Sequence, residues 1–179
     1  MTAQPRASEA ERTQRLHGMV AQHHATMWRF LRRLGLDSSD VDDAIQDVLL
    51  VMMRKLDAVE PRYERSFLLR TAYRVGCRIR AKRPRMGDED LADPIPHPDV
   101  LVDQKRARGL LDEILERMSE ELRAVFVLHD IERLTMADIA ETLELKPGTV
   151  ASRLRRARED FDKRVARVEA RMNLREVGK

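Results

Sequence analysis

The stretch TMADIAETLELKPGTVASRLRRARE, residues 135–159, carries a dense set of side chains able to read nucleic acid. At about 100° per residue, Thr149, Ser152, Arg155 and Arg156 fall on one side of a helix, with Arg153 and Arg158 at its flanks. Arginine can pair bidentately with a guanine edge, serine can donate or accept, and flanking guanidinium groups neutralise phosphates. On the opposite side Val150, Leu154, Ala157 and Phe161 recur at i, i+4, i+7 and i+11, an apolar stripe. Ile139, Ala140 and Leu143 supply the packing face of a preceding helix, Ala140 being small enough for a close crossing. Leu145 fills the turn, and Pro147 suits the first position of the second helix. The pattern predicts a helix-turn-helix rather than a plain basic hairpin. Taken alone, that motif says only that DNA is bound.

A second group mixes arginine with flat rings: Arg62, Tyr63, Arg70, Tyr73, Arg74 and Arg80, with Cys77 among them. Guanidinium groups interleaved with aromatics suit a single or opened strand, where a base can stack or enter a pocket. The periodicity predicts a helix over 66–83 that buries Phe67, Leu68, Thr71, Val75 and Ile79 and turns its basic side to solvent. A solvated arginine-rich helix is the plain alternative.

A third group lies in DSSDVDDAIQDVLLVMMRKL, residues 37–56. Val41, Ile45, Val48, Leu49, Met52 and Leu56 form its core stripe. Asp43, Asp47, Leu50 and Arg54 point the other way, flanked by Gln46, Val51 and Met53. Apolar groups left uncovered beside acids read as a protein-docking face, as against wider burial in a four-helix bundle.

The elements that position these groups are helical throughout. Residues 1–12 are polar and read as frayed. From Thr13 to Leu36, Leu16, Val20, Met27, Leu31 and Leu34 recur at helical spacing, with Gly35 as a C-cap. Ser38 or Ser39 caps the next helix. Pro61 breaks the pattern, a loop covers 57–65, and Pro84 ends the third helix. RMGDEDLADPIPHPD, residues 85–99, reads as an extended acidic tether. Beyond it, Leu110, Leu111, Ile114 and Leu115 mark one helix, and Leu122, Val125, Phe126 and His129 another. No segment alternates as a strand and none repeats. The prediction is an all-α chain of two small domains, 13–86 and 105–172, joined by a flexible acidic linker, 87–104.

Composition agrees. Residues 61–86 hold nine Lys and Arg against one acid, whereas 87–134 hold thirteen acids against six Lys and Arg. Two basic blocks separated by an acidic one point to nucleic acid. Aromatics are only 4% of the 179 residues, which disfavours a β-sandwich. One cysteine excludes an internal disulfide and fits a reducing cytoplasm. No stretch reads as a membrane span or a secretory signal.

With these residues in view, the chain resembles extracytoplasmic-function sigma factors of bacterial RNA polymerase, in the sigma-70 family. DDAIQDVLLVMMRKL resembles the segment that docks on the clamp helices of the polymerase β′ subunit. SFLLRTAYRVGCRIRAKR resembles the −10 segment, and MSEELRAVFVLHDIERLTMADIAETLELKPGTVASRLRRARE the −35-binding module. The resemblance implies core polymerase, through β′ and the β flap, and promoter DNA as partners, and an anti-sigma protein as a further candidate. It implies polymerase contact through Asp43, Gln46, Asp47, Leu50 and Arg54, and −10 contact through Arg62, Tyr63, Arg70, Tyr73, Arg74 and Arg80. For −35 DNA it implies Thr149, Ser152, Arg153, Arg155, Arg156 and Arg158. The tether would thread toward the active-site cleft. Phe67 stands where the family often has Trp, Arg74 where it has Asn, Ala151 where a basic residue is frequent, and Met118-Ser119 where Leu-Pro is usual. Glu144 occupies a turn position usually held by Gly. If that site is left-handed, its conformation costs about 1 kcal/mol.

Two other readings stand beside this one. A stand-alone helix-turn-helix regulator would need a self-complementary dimer face. A helical metalloenzyme would draw on His17, His23, His24, His97 and His129, but no HExxH or comparable pair is present. Nucleotide loops of the GxxxxGK[ST] or GxGxxG type are also lacking. Neither a cofactor nor intrinsic catalysis is expected.

Overall fold

The computed structural model describes residues 8–82 and 100–177. Its helices are α1 (Glu9–Arg33), α2 (Ser38–Lys55), α3 (Glu64–Ala81), α4 (Val100–Glu116), α5 (Glu120–Phe126), α6 (Met136–Leu143) and α7 (Pro147–Val177). Single 3-10 turns at Leu56–Ala58 and Pro61–Tyr63 join α2 to α3, and a π-helical turn, Val127–Ile131, extends α5. No strand occurs among the described residues. The all-α expectation holds.

Several boundaries differ from the sequence reading. Helix α1 begins at Glu9, not near Thr13, because Ser8 and Glu11 form a capping box. Asp37, rather than Ser38 or Ser39, caps α2, its carboxylate accepting from the Asp40 amide at 2.9 Å. Helix α3 starts at Glu64 and closes at Lys82. Helix α4 begins at Val100, inside the span read as tether. Pro84, the acidic residues Asp88, Glu89, Asp90 and Asp93, and His97 lie outside the described residues.

Helices α1, α2 and α3 enclose the first core. Met27, Phe30 and Leu31 of α1 meet Val41, Ala44, Ile45, Val48 and Met52 of α2 and Leu68, Leu69, Ala72 and Val75 of α3. Gly76 lets α3 approach α1, since a Cβ there would lie 3.1 Å from Cδ2 of Leu31. Gly35 ends the first hairpin arm at φ +90°, with the Leu36 amide bonded back to the Leu31 carbonyl.

Helices α4–α7 enclose the second core. Leu115, Val125, Leu128, Ile139, Val150, Leu154 and Ala157 are buried in it. Phe126 and Phe161 stack with ring centroids 4.6 Å apart. The apolar stripe expected on α7 is therefore the one observed. Thr142 is also buried, though the sequence pattern favoured Ala140 and Leu143.

The two cores touch. Helix α3 packs on α6, and α1 packs on α4 and the π turn. This contact accounts for the main misreading of the chain. Helix α3 buries Leu68, Leu69, Ala72, Val75 and Gly76, a stripe turned from the expected one, while Phe67, Thr71 and Ile79 are only partly buried. A helix covered from two sides has no single apolar face for periodicity to find.

Candidate nucleic-acid interface

On α2 the outward groups stand as the pattern placed them. Asp43, Gln46 and Arg54 are exposed, and Leu50 and Met53 are 50% and 49% exposed. Asp47 is half-buried and accepts from Arg78 of α3 at 2.6 Å. An apolar pair between Asp47 and Arg54 on a rigid helix offers both contact area and charge to a partner.

The 3-10 turn at Pro61–Tyr63 holds Tyr63 out from α3, and the Arg62 guanidinium lies 4.6 Å from its ring centroid. Arg70 lies over the Phe67 ring at 5.5 Å. Tyr63, Phe67, Arg70, Lys55 and Val59 line an open groove of about 290 Å³, whose far wall includes Glu141 of α6. A flat ring, cations and a groove together could receive an unstacked base.

Of the remaining α3 residues Arg74 is exposed as expected, whereas Tyr73, Cys77 and Arg80 are not open to solvent. Tyr73 and Cys77 are half-buried against the second domain. Burial pushes the Cys77 thiol up to about 12, with Glu120 of α5 adding to the effect, and burial also raises the Tyr73 phenol. Arg80 donates to the Leu34 carbonyl. Arg70 and Arg74 both donate to the carboxylate of Glu144, Arg70 at 3.1 Å. The basic side of α3 thus faces the helix-turn-helix.

On α7, Ser152, Arg155 and Arg156 are exposed and Thr149 is half-buried. Ser152 donates to the Thr149 carbonyl at 3.0 Å, and Arg155 pairs with Glu159 at 3.2 Å. Arg156 has no ion-pair partner among the described residues. The flanking arginines are tethered to their own domain. Arg153 pairs with Glu121 at 2.8 Å. Arg158 grips Asp130 through Nε at 3.0 Å and Nη2 at 2.5 Å, and its donation holds that carboxyl below the usual range.

Sequence reasoning missed the charged groups that join the domains. Glu132, 3% exposed at its side chain, accepts from Arg29 at 2.8 Å and Arg33 at 3.1 Å. Arg65 donates to the Glu132 carbonyl. Arg123 is fully buried and donates to carbonyls of Leu34, Glu116 and Met118. A cation inside the apolar run LRAVFVL was the one available signal. Among the described residues no group of His, Cys, Asp and Glu could hold a metal, and no helix is long and apolar enough to cross a membrane.

Known proteins share this organisation. The family model for Sigma-70 region 2 matches residues 19–83, and that for Sigma-70 region 4 matches residues 108–161. The extracytoplasmic-function RNA polymerase sigma factor SigE of Mycolicibacterium smegmatis is 28% identical over 150 residues, covering 80% of this chain and 58% of the relative. The sigma-E factor of Escherichia coli is 28% identical over 146 residues, covering 72% of this chain and 75% of its own. Among solved structures, CnrH in complex with the cytosolic domain of CnrY superposes with a TM-score of 0.68 at 23% identity, over 88% of this chain and 90% of that one. RpoE of Bartonella quintana, solved with the anti-sigma factor NepR, gives 0.59 at 19% identity, over 84% and 96%. With region 2 in its first domain and region 4 in its second, the chain belongs to the sigma-70 family and is of the extracytoplasmic-function type.

Proposed function

We propose that the protein is a transcription initiation factor that binds core RNA polymerase, recognises the −35 and −10 promoter elements and promotes strand opening. The observation that carries the reading is the presentation of two unlike exposed faces by one chain. One is the Leu50–Met53 face of α2; the other is the Ser152–Arg156 face of α7. A self-dimerising regulator would need the first of these faces to be self-complementary.

The division of labour follows the helices. Residues 13–86 would dock on the β′ clamp helices through Asp43, Gln46, Asp47, Leu50 and Arg54. The same domain would take the opened −10 strand on Arg62, Tyr63, Arg70, Tyr73, Arg74 and Arg80. Residues 105–172 would dock near the β flap and read −35 duplex through Thr149, Ser152, Arg155 and Arg156. In the free chain Arg153 and Arg158 are braced by Glu121 and Asp130, so their role there is to fix the helix as well as to meet phosphate. The acidic segment 87–104 would run between the domains toward the polymerase cleft.

The factor itself would carry out no catalysis; bond formation belongs to the polymerase, and the site of action is the cytoplasm. Relatives solved with CnrY and with NepR support an anti-sigma protein as a further partner. The test is in vitro transcription. The chain is added to sigma-free core polymerase on a fragmented genomic library and start sites are sequenced. Discrete starts dependent on the protein are expected; their absence on every template would refute the reading.

A further inference from the structure

Glu144 sits at the end of α6 with φ 54° and ψ 45°, the left-handed conformation that glycine enters freely and glutamate does not. Its carboxylate is gripped by Arg70 and Arg74, seventy or more residues earlier. Glu141, one turn back on α6, walls the groove lined by Tyr63, Phe67 and Arg70. Nearby, Glu132 repeats the arrangement, one carboxylate held by Arg29 and Arg33 of α1. Meanwhile Leu50 and Met53 on α2, and Ser152, Arg155 and Arg156 on α7, stay exposed.

We propose that Glu144 is an intramolecular latch that occupies the strand-reading arginines of α3 until the two domains part. It imitates the phosphate those arginines would otherwise hold. The closed chain can present its polymerase-docking face and its duplex-reading face while Arg70 and Arg74 of its single-strand surface are engaged. Both ends of the Arg74–Glu144 pair are largely exposed, 65% and 51% at their side chains, so this one contact, unlike the buried Arg123 and Glu132 ties between the domains, is weak and salt-sensitive. A latch of that strength suits release by docking rather than permanent repression. The proposal rests on the reading of α3 as the −10 surface.

Cys77 is a built-in reporter. It is half-buried at the seam, its thiol held up by burial and by Glu120 of the other domain. The variant is Glu144→Gly, which relieves the left-handed strain and so preserves the fold, as circular dichroism would verify. In the full-length variant, labelling of Cys77 by a disulfide reagent at pH 8 should run about fivefold faster than in the parent, the scale of one to two exposed ion pairs. Affinity for a fluorescent single-stranded DNA of twelve random positions should rise by a similar factor, while affinity for a random duplex changes less than about twofold. The charge swap Arg74→Glu with Glu144→Arg should restore slow labelling. Unchanged labelling in Glu144→Gly overturns the latch, as does faster labelling without tighter single-strand binding. The double variant Arg70→Ala, Arg74→Ala tests the underlying assignment separately: if it binds single strands as the parent does, the −10 reading of α3 falls.

Discussion

Arg123 of α5 donates through Nη1 to the carbonyl of Leu34, at the end of α1, across 2.7 Å. The same guanidinium reaches the carbonyls of Glu116 and Met118 through Nη2. One buried cation therefore satisfies the ends of two helices and ties the domains at the Gly35 turn, where any Cβ would lie 2.9 Å from it. Replacing Arg123 by Met strands these carbonyls and should lower the free energy of urea unfolding by about 3 kcal/mol. Lysine should not rescue it, because an ammonium cannot span three acceptors in a planar fork. Stability of Arg123→Met within about 0.5 kcal/mol of the parent would show that water replaces the guanidinium there.

The apolar patch on α2 predicts a binding defect without a folding defect. Leu50 is half exposed, so Leu50→Asp should leave the thermal midpoint nearly unchanged. It should weaken binding to core polymerase at least tenfold, the effect of losing about 1.4 kcal/mol from an interface anchor. Fluorescence anisotropy of labelled protein against core enzyme measures parent and variant. Equal affinities would remove α2 from the docking surface.

Arg156 and Arg158 should separate in their salt dependence. Arg156 has no ion pair among the described residues, so Arg156→Ala should weaken duplex binding and reduce the slope of log affinity against log salt by about one. Arg158 is bound to Asp130. Its alanine variant should lose stability as well, by about 1 kcal/mol, because a half-buried carboxylate loses its arginine and keeps only His129. Duplex titrations at four salt concentrations, with a parallel melt, distinguish them; identical melts would place Arg158 with Arg156.

His23 gives the chain a pH dependence with a fixed sign. It is buried on α1, and burial, then the Arg65 charge, hold its imidazole below the ordinary 6.5, with Glu64 opposing. Native protein resists the proton that the unfolded chain accepts. Stability from this residue is therefore complete above pH 6.5 and is lost as the pH falls toward the lowered native value. One such proton can contribute a slope of at most about 1.4 kcal/mol per pH unit. His23→Met should flatten the difference in urea midpoint between pH 7.5 and pH 5.5. An unaltered difference would assign the acid sensitivity elsewhere.

How far the sequence could be read follows from how each helix is covered. Helix α2 and the first half of α7 each bury one side, so spacing alone finds Val41, Ile45, Val48 and Met52, or Val150, Leu154 and Ala157. The exposed groups opposite, Leu50 and Arg156 among them, follow by subtraction. Helix α3 is covered twice, and its residues Tyr73, Cys77 and Arg80 take up positions that a one-sided pattern assigns to solvent. Cap choice at Asp37 is underdetermined because Asp and Ser both accept from a helix amide. The seam itself is invisible to periodicity. Arg29 with Glu132, and Arg74 with Glu144, meet across seventy or more residues through side chains whose types are ordinary on any helix surface.

Helix α7 is one unbroken rod from Pro147 to Val177, 31 residues and therefore about 46 Å long at 1.5 Å per residue. Its first third carries Ser152 and Arg156; its remainder runs on past Phe161 without a break. A tilt of about 10° at the end proposed to meet a base pair would swing the opposite tip through about 8 Å, given that length. Under the proposed duplex contact the rod would act as a pointer, carrying small differences in how a promoter sequence seats the helix toward its distal part, where Arg171 meets Glu113 of α4.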